Sequence, residues 1–546
     1  MQNSSNVSKI EQDFELICNL FKNRKTSNYS IASLVKVLKS FGFDKTNQRF
    51  KCMFDKLEIL EVKQDYLKIV EADKTTFGEL IHPCIPLISQ AIRNQLIIPA
   101  WIEFTRIIED IFYECWHIEE EGSDLDLAQV WAISICSIDG QRFSLGNCEE
   151  KFCLRSISKS FNYAILASEI GSDLLHKYVG HEPSGRDAND ISLDSNNKPF
   201  NPIIDSGAIV VVSMIKPGDT TADRYEFMLD SFKNIAGHEH IGFDNVSYLE
   251  RKKKADRIRS SSFYLRENRC FPETSQVYED EKMLEREVDL LLQLGALETN
   301  CETASVMAAT LANGGVCPLT MTSCIEPQPC RDILSLLGSC GLYEYSGNFS
   351  FQIGLPAKSD PSGLMILIIP NVMGIAFYSP SSRRPTTSRR SIAFCQKLVE
   401  IFNFHQYDSV LQNLDKIDPR RTTPHEEVDI VEETMRAAKN GNLRLLRAAY
   451  MEEFDLRTPD SQMRTALHYS ASEGRTEVCK FLIEVGRCEV NSRDSNGKCP
   501  LDDAVQFKHR GTASYLFKLQ FPTKEMPDNI FEEGVIFSTL DFGKEE

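Results

Sequence analysis

Ser156 and Lys159 stand three residues apart in the stretch KFCLRSISKSF, Lys151 to Phe161. On a helix, positions i and i+3 share a face, so a serine hydroxyl and a lysine amine at this spacing can touch. Such a pair does nucleophilic chemistry when burial and a neighbouring cation lower the lysine pKa enough for the neutral amine to take the serine proton. The spacing alone is common: Ser33/Lys36, Ser195/Lys198, Ser213/Lys216 and Ser495/Lys498 repeat it, and an exposed helix or loop pair is the plain reading there. The Ser156 copy stands apart by what precedes it. WAISICSI, Trp131 to Ile138, is apolar and β-branched, Asp139-Gly140 is a hairpin turn dipeptide, and QRFSLG returns. A helix is expected to start near Phe152 and to carry both residues.

A hairpin feeding a helix with an inward serine resembles the way serine β-lactamases and penicillin-binding proteins present their nucleophile. More of the chain resembles the glutaminases. FCLRSISK around the pair, HKYVGHEPSG from His176, NPIIDSGAIVV from Asn201, CETASVMAATLANGG from Cys301, SCGLYEYSG from Ser339, GLPAKS from Gly354 and NVMG from Asn371 are similar to glutaminase segments, in glutaminase order. The resemblance runs from about residue 15 to the end of the C-terminal repeats. It implies an α+β, β-lactamase-like catalytic-type domain in which serine attacks the side-chain amide of glutamine and lysine shuttles its proton. Ammonia leaves, and water then releases glutamate. Two backbone N–H groups stabilise the oxyanion, and Tyr, Asn and Glu side chains fix the charged end of the amino acid.

Taken position by position, the resemblance gives a mixed site. Ser156 and Lys159 match the family nucleophile and base, and Tyr343 matches an active-site tyrosine. Asp205 stands where the family has Asn; a carboxylate cannot donate the amide hydrogen bond and repels a substrate carboxylate. Arg251 and Ile258 stand where the family has Glu and Asn, Leu291 where it has Tyr, and Arg155 where it has Gln. The family tyrosine upstream of the first strand has no counterpart. Pro361 falls at the position whose backbone N–H forms half of the oxyanion hole, and proline has no N–H. One lost oxyanion donor costs on the order of 10²- to 10³-fold in rate. The expectation is a glutaminase-fold protein with lost or strongly reduced glutamine hydrolysis and a binding or regulatory role. The alternative is an active glutaminase or a related amidohydrolase.

A length of 546 residues suggests about three or four units. The net charge of −18, from 61 basic and 79 acidic residues, argues against nucleic-acid binding. The basic run RKKKADRIR from Arg251 reads as a solvated surface loop. The 17 cysteines show no C-x-x-C pair and no zinc spacing, so reduced thiols and no metal are expected. No apolar run reaches membrane-spanning length. MQNSSNVSKI lacks a secretory core and a presequence pattern, which favours the cytoplasm, whereas the resemblance implies a mitochondrial location.

Residues 11–116 read as a helical domain, from FELICNLF, IASLVKVLKSFGF, CMFDKLEIL and FGELIHPCIPLISQAIRN. By resemblance this is the small domain that contributes to dimer formation. An EF-hand is excluded for want of a D-x-D-x-D-G loop. The catalytic-type domain is expected over 130–404, with strands at WAISICSI, QRFSLG, FSFQIG, LMILIIP and IAFYSP and with helices between, including ASVMAATLA, which stops at Asn313-Gly314-Gly315. SPSSRRPTTSRRS reads as an exposed loop, and 418–430 as a linker. Over 431–520, Gly441 and Gly474 differ by 474 − 441 = 33, the ankyrin period, and a tail fills 521–546. So few repeats are marginal alone and are expected to lean on other parts of the chain; they also offer a protein-partner surface. The resemblance further implies no cofactor, inorganic phosphate as activator, and a homodimer, a tetramer or a hetero-oligomer with active glutaminase.

Overall fold

The computed structural model describes residues 2–23, 26–45, 47–63, 71–118, 129–185, 190–273, 275–380, 387–408, 416–420, 430–526 and 530–531. Most of the expected linker and tail lies outside the described residues. The chain forms two compact units, one of 1–45, 50–99 and 421–546, the other of 46–49 and 100–420.

In the first unit, α1 (Gln2–Phe21) with α2 (Ile31–Ser40) and α3 (Lys51–Lys63) with α4 (Lys74–Ile81) form two helix–loop–helix pairs, followed by α5 (Ile85–Ile92). Their loops are joined by an antiparallel bridge of β1 (Tyr29–Ser30) with β2 (Glu71–Ala72). Ser30 caps α2 through Ser33 N–H, and Asp73 caps α4 through Thr75 and Thr76 N–H. Ile17 of α1, Leu34 and Leu38 of α2, Phe50 of the turn before α3, Phe77 of α4 and Ile88 of α5 fill the core.

The second unit begins with α6 (Trp101–Trp116). This helix, expected with the N-terminal helical domain, packs its aromatic face elsewhere: Phe112 stacks on Trp131, which stacks in turn on Phe377. A five-stranded antiparallel sheet has the order β4-β3-β10-β9-β8, from β3 (Ala132–Ser137), β4 (Arg142–Gly146), β8 (Ala357–Ser359), β9 (Leu364–Ile369) and β10 (Met373–Tyr378). A smaller sheet has the order β5-β7-β6, from β5 (Phe152–Cys153), β6 (Gly242–Phe243) and β7 (Leu297–Thr299).

Helices lie between, as expected from strand signals at both ends of the domain. They are α7 (Ile157–Ile170), α8 (Ser172–Leu175), α9 (Asp205–Ser213), α10 (Thr221–Ile235), α11 (Asn245–Lys253), α12 (Asp256–Glu267), α13 (Glu281–Gly295), α14 (Cys301–Ala312) and α15 (Pro327–Cys340), followed by α16 (Ser346–Gln352) and, after the large sheet, α17 (Arg389–Ile401). Helix α14 lies so close to β10 that a Cβ on Gly374 would come within 2.1 Å of Ala309 N, which requires glycine there.

Four expectations are corrected. FSFQIG is not a strand: Phe349 and Ile353, four apart, are buried while Phe351 is 83% exposed, a helical period that places the segment in α16. The helix carrying Lys159 starts at Ile157 and not near Phe152, because Phe152 and Cys153 pair with β7 and Arg155 has a positive φ of 45°. RKKKADRIR is not a surface loop but spans α11 and α12, with Arg251 Nη1 buried. The end of SPSSRRPTTSRRS is not exposed either: Thr387, Ser388, Arg390 and Ser391 are buried, Ser388 caps α17, and residues 381–386 lie outside the described residues.

Back in the first unit, α18 (Ile430–Asn440), α19 (Leu443–Met451), α20 (Ala466–Ser472), α21 (Thr476–Glu484), α22 (Pro500–Gln506) and α23 (Arg510–Gln520) stack as three helix pairs. Gly441 and Gly474 end their helices at φ 80° and 68°. The repeats lean on the N-terminal helices of the same unit: Met451 is fully buried in that core, and Arg93 bridges Asp13 and Glu452.

Candidate active site around Ser156

Each side chain of the site sits at the end of an element, held there by local chemistry. Main-chain bonds from Leu154 N–H to Leu297 O and from Arg155 N–H to Gly295 O extend the small sheet, and the positive φ at Arg155 then turns the chain into α7. Ser156 is therefore the N-cap of α7, buried, with its own N–H aimed out of the helix end. Tyr343 also has a positive φ, of 56°, in a short turn tied by Ser346, whose hydroxyl donates to Tyr343 O and accepts from Leu342 N–H. Asp205 opens α9 after Asn201, whose side chain accepts from Ile203 and Ile204 N–H. Asp360 begins the turn from β8 to β9, closed by Gly363 N–H on Asp360 O, and Pro361 follows it.

Ser156, Lys159, Tyr343 and Asp205 are brought together with two residues that sequence reasoning missed, Asp360 and Lys358. Tyr343 donates to Ser156 Oγ at 3.0 Å. The Ser156 hydroxyl lies 2.6 Å from Asp360 Oδ1 and 3.2 Å from Ser359 O, and Ser156 N–H donates to the same Asp360 Oδ1 at 3.0 Å. Asp360 Oδ2 takes Ser362 N–H at 2.9 Å. Burial pushes the Asp360 carboxyl up, yet hydrogen bonds from Ser156 and Ser362 outweigh it and hold the group below the usual carboxylate range. The hint in the sequence was the acidic residue directly after GLPAKS, beside the proline that drew attention.

Lys159 does not bond to Ser156 Oγ; its ammonium forms an ion pair with Asp205. Asp205 thus contacts the lysine one turn into the helix instead of standing free to meet a substrate. Lys358, on edge strand β8, is fully buried; its Nζ donates to Ser359 O at 2.7 Å and lies 4.3 Å from the Tyr343 ring centroid. Burial first, and Lys159 next, push its ammonium down to about 7. Burial likewise raises the Tyr343 phenol.

Arg251 reaches from α11 toward the same place. A Cβ on Gly295 would fall 2.2 Å from Arg251 Nη1, so the guanidinium lies against the residue whose carbonyl holds Arg155. Its Nη1 is buried without a hydrogen-bond partner. The remaining substituted positions are packing residues: Leu291 is buried in the main core, and Ile258 packs against that core from α12. Among the described residues, no group of three or more His, Cys, Asp or Glu could hold a metal ion, and no helix is long and apolar enough to cross a membrane.

A buried serine at a helix mouth, faced by a tyrosine and by the edge strand of an antiparallel sheet, defines the β-lactamase-like class of serine folds. Comparison with known proteins narrows the class. Residues 126–407 match the glutaminase family, 434–525 match ankyrin repeats in three copies, and 14–99 match an EF-hand domain. A Caenorhabditis elegans protein that carries the provisional name glutaminase 2 is 42% identical over 94% of this chain and 87% of its own. The mitochondrial liver isoform of glutaminase from Mus musculus is 38% identical over 88% of this chain and 79% of its own. A solved structure described as a probable glutaminase shares the fold at a TM-score of 0.50 and 24% identity, over 56% of this chain and 98% of that one. The chain belongs to the glutaminase family. The exclusion of an EF-hand is corrected: the paired helix–loop–helix scaffold with its strand bridge needs no calcium-binding acids, and the first loop, KNRKTSNYS, is basic and hydroxyl-rich.

Proposed function

We propose that this glutaminase-family chain has lost glutamine hydrolysis at enzymatic rates and acts as a ligand-binding or regulatory subunit. In acyl transfer the nucleophile's own N–H commonly forms part of the oxyanion hole. The observation that carries the reading is the seat of Asp360: its carboxylate takes both the N–H and the hydroxyl of Ser156, where a substrate oxygen and its developing charge would have to be. An anion at that point opposes the charge that forms in the transition state, and Pro361 offers no N–H in its place. Lys159 is turned to Asp205 and makes no hydrogen bond to the Ser156 hydroxyl, so it does not stand where a base must be to take the serine proton.

The partners that follow are a second copy of this chain or active glutaminase subunits, with the ankyrin repeats as a protein-binding surface. A mitochondrial address belongs to the same proposal, by likeness to the family, whereas phosphate activation belongs to the second reading, in which hydrolysis remains. The second reading, residual amidohydrolase activity, is favoured by one contact, the intact Tyr343 hydrogen bond to Ser156. Ammonia release from glutamine by the purified chain in high phosphate, beside a Ser156→Ala control, separates the two. Lost hydrolysis predicts equal, background rates, whereas Ser156-dependent turnover at ordinary enzyme rates refutes it.

A further inference from the structure

The Ser156 site holds two cations that no carboxylate neutralises. Arg251 makes no hydrogen bond or ion pair among the described residues, although its Nη1 is buried. Lys358, fully buried, bonds only to the carbonyl of its neighbour Ser359 and forms no ion pair among the described residues. Both feel the charges of Asp205 and Asp360, which places them around one centre. Among the described residues, the only ion pair formed by these groups is that between Lys159 and Asp205. Lys159 is paired, Lys358 is pushed down to about 7 and Arg155 is exposed to solvent, so Arg251 is the cation of this group that stays charged and unpaired among the described residues. A buried guanidinium nitrogen without a partner is costly, and in native structures such a group is normally matched by a carboxylate or another hydrogen-bonding acceptor. Burial first, and Arg155 after it, lower the basicity of Arg251 against the pull of Asp360, in keeping with a cation that lacks a close counter-charge.

We propose that the Ser156 site binds a small carboxylate with no neighbouring ammonium group, and that Arg251 receives it. The planar guanidinium presents paired donors that fit a carboxylate's two oxygens. A ligand ammonium in the same place would meet a like charge at short range. A single carboxylate matches the one charge of Arg251, and a phosphate dianion over-compensates it. This inference rests on the site being a binding site, and it gives that reading a ligand class.

The test is thermal denaturation of the full chain, at ionic strength matched with NaCl, against succinate, glutamate, glutamine and inorganic phosphate in separate titrations. Succinate should raise the midpoint in a saturable way, with glutamate at least about 10-fold weaker, since a charged contact of roughly 1.5–3 kcal/mol corresponds to about 10- to 100-fold in affinity. Arg251→Gln should weaken succinate by the same factor. It should not lower the ligand-free midpoint, because no partner is lost. Arg251→Lys should keep most of the binding. No succinate shift, a shift equal in Arg251→Gln, glutamate as tight as succinate, or phosphate tighter than both would each overturn the proposal. No turnover enters the measurement, so ammonia release from glutamine would refute lost hydrolysis without deciding this result.

Discussion

Replacing Asp360 by Gly should unmask Ser156. In the folded chain Asp360 Oδ1 accepts the Ser156 N–H at 3.0 Å and lies 2.6 Å from its hydroxyl. Hydrogen bonds to a charged acceptor contribute roughly 1.5–3 kcal/mol each. Displacing both would then cost an incoming electrophile about 3–6 kcal/mol, or about 10²- to 10⁴-fold in rate. The value of a single restored oxyanion donor, on the order of 10²- to 10³-fold, sets a narrower range because Pro361 still supplies none.

The assay is the rate of Ser156 modification by a fluorophosphonate, read by intact-protein mass spectrometry, with Ser156→Ala as the blank and circular dichroism to confirm folding. Asp360→Gly should label about 10²- to 10³-fold faster than wild type, and Asp360→Asn by a smaller factor because the amide still crowds the serine. Slower labelling in both variants would mean that the carboxylate works as a base toward Ser156, and rates within about threefold of wild type would mean that it does not stand in the way; either result refutes the argument.

Two further outcomes are expected. Lys358 titrates near 7 in the folded chain, pushed down from 10.5 by burial and by Lys159, with Asp360, Asp205 and Cys340 opposing and the Tyr343 ring beside it. Between those values the unfolded chain binds a proton that the folded chain does not, so this residue's contribution to stability rises with pH across the window. The urea midpoint of Lys358→Met relative to wild type should accordingly be highest below pH 7, and its advantage should shrink by pH 9; a difference independent of pH would contradict the assignment. Met451→Ala, which empties a fully buried place between the repeats and the N-terminal helices of one unit, should cost about 2–5 kcal/mol in urea denaturation. A loss below about 1 kcal/mol would mean that the repeats stand without that contact.

Much of the site was legible in the sequence because separated motifs carry their own spacing. GLPAKS, SCGLYEYSG and FCLRSISK announced where Tyr343, Ser156 and Lys159 would be needed, and the 33-residue step of Gly441 and Gly474 announced the repeats. The signals of β3, β9 and β10 are strong because those strands are buried on both faces and so read as nearly continuous apolar runs. The reading failed where two periods compete. FSFQIG alternates like a strand, yet its burial follows Phe349 and Ile353. The basic run at Arg251 looked solvated because charge composition says nothing of which face a helix turns inward.

The sequence by itself determined that a serine and a lysine of the right spacing are present, and the glutaminase resemblance led to the expectation that Pro361, Asp205, Arg251, Ile258 and Leu291 stand where that family has other residues. Only the tertiary structure decided what those residues face. A residue 204 positions away, Asp360, takes up the serine; Asp205 turns to Lys159; Leu291 and Ile258 pack in the core; and Arg251 and Lys358 form no ion pair among the described residues. The physical reason is that residue type fixes which hydrogen bonds and charges a side chain can offer, whereas strand register and helix ends far apart in the chain fix which of them meet.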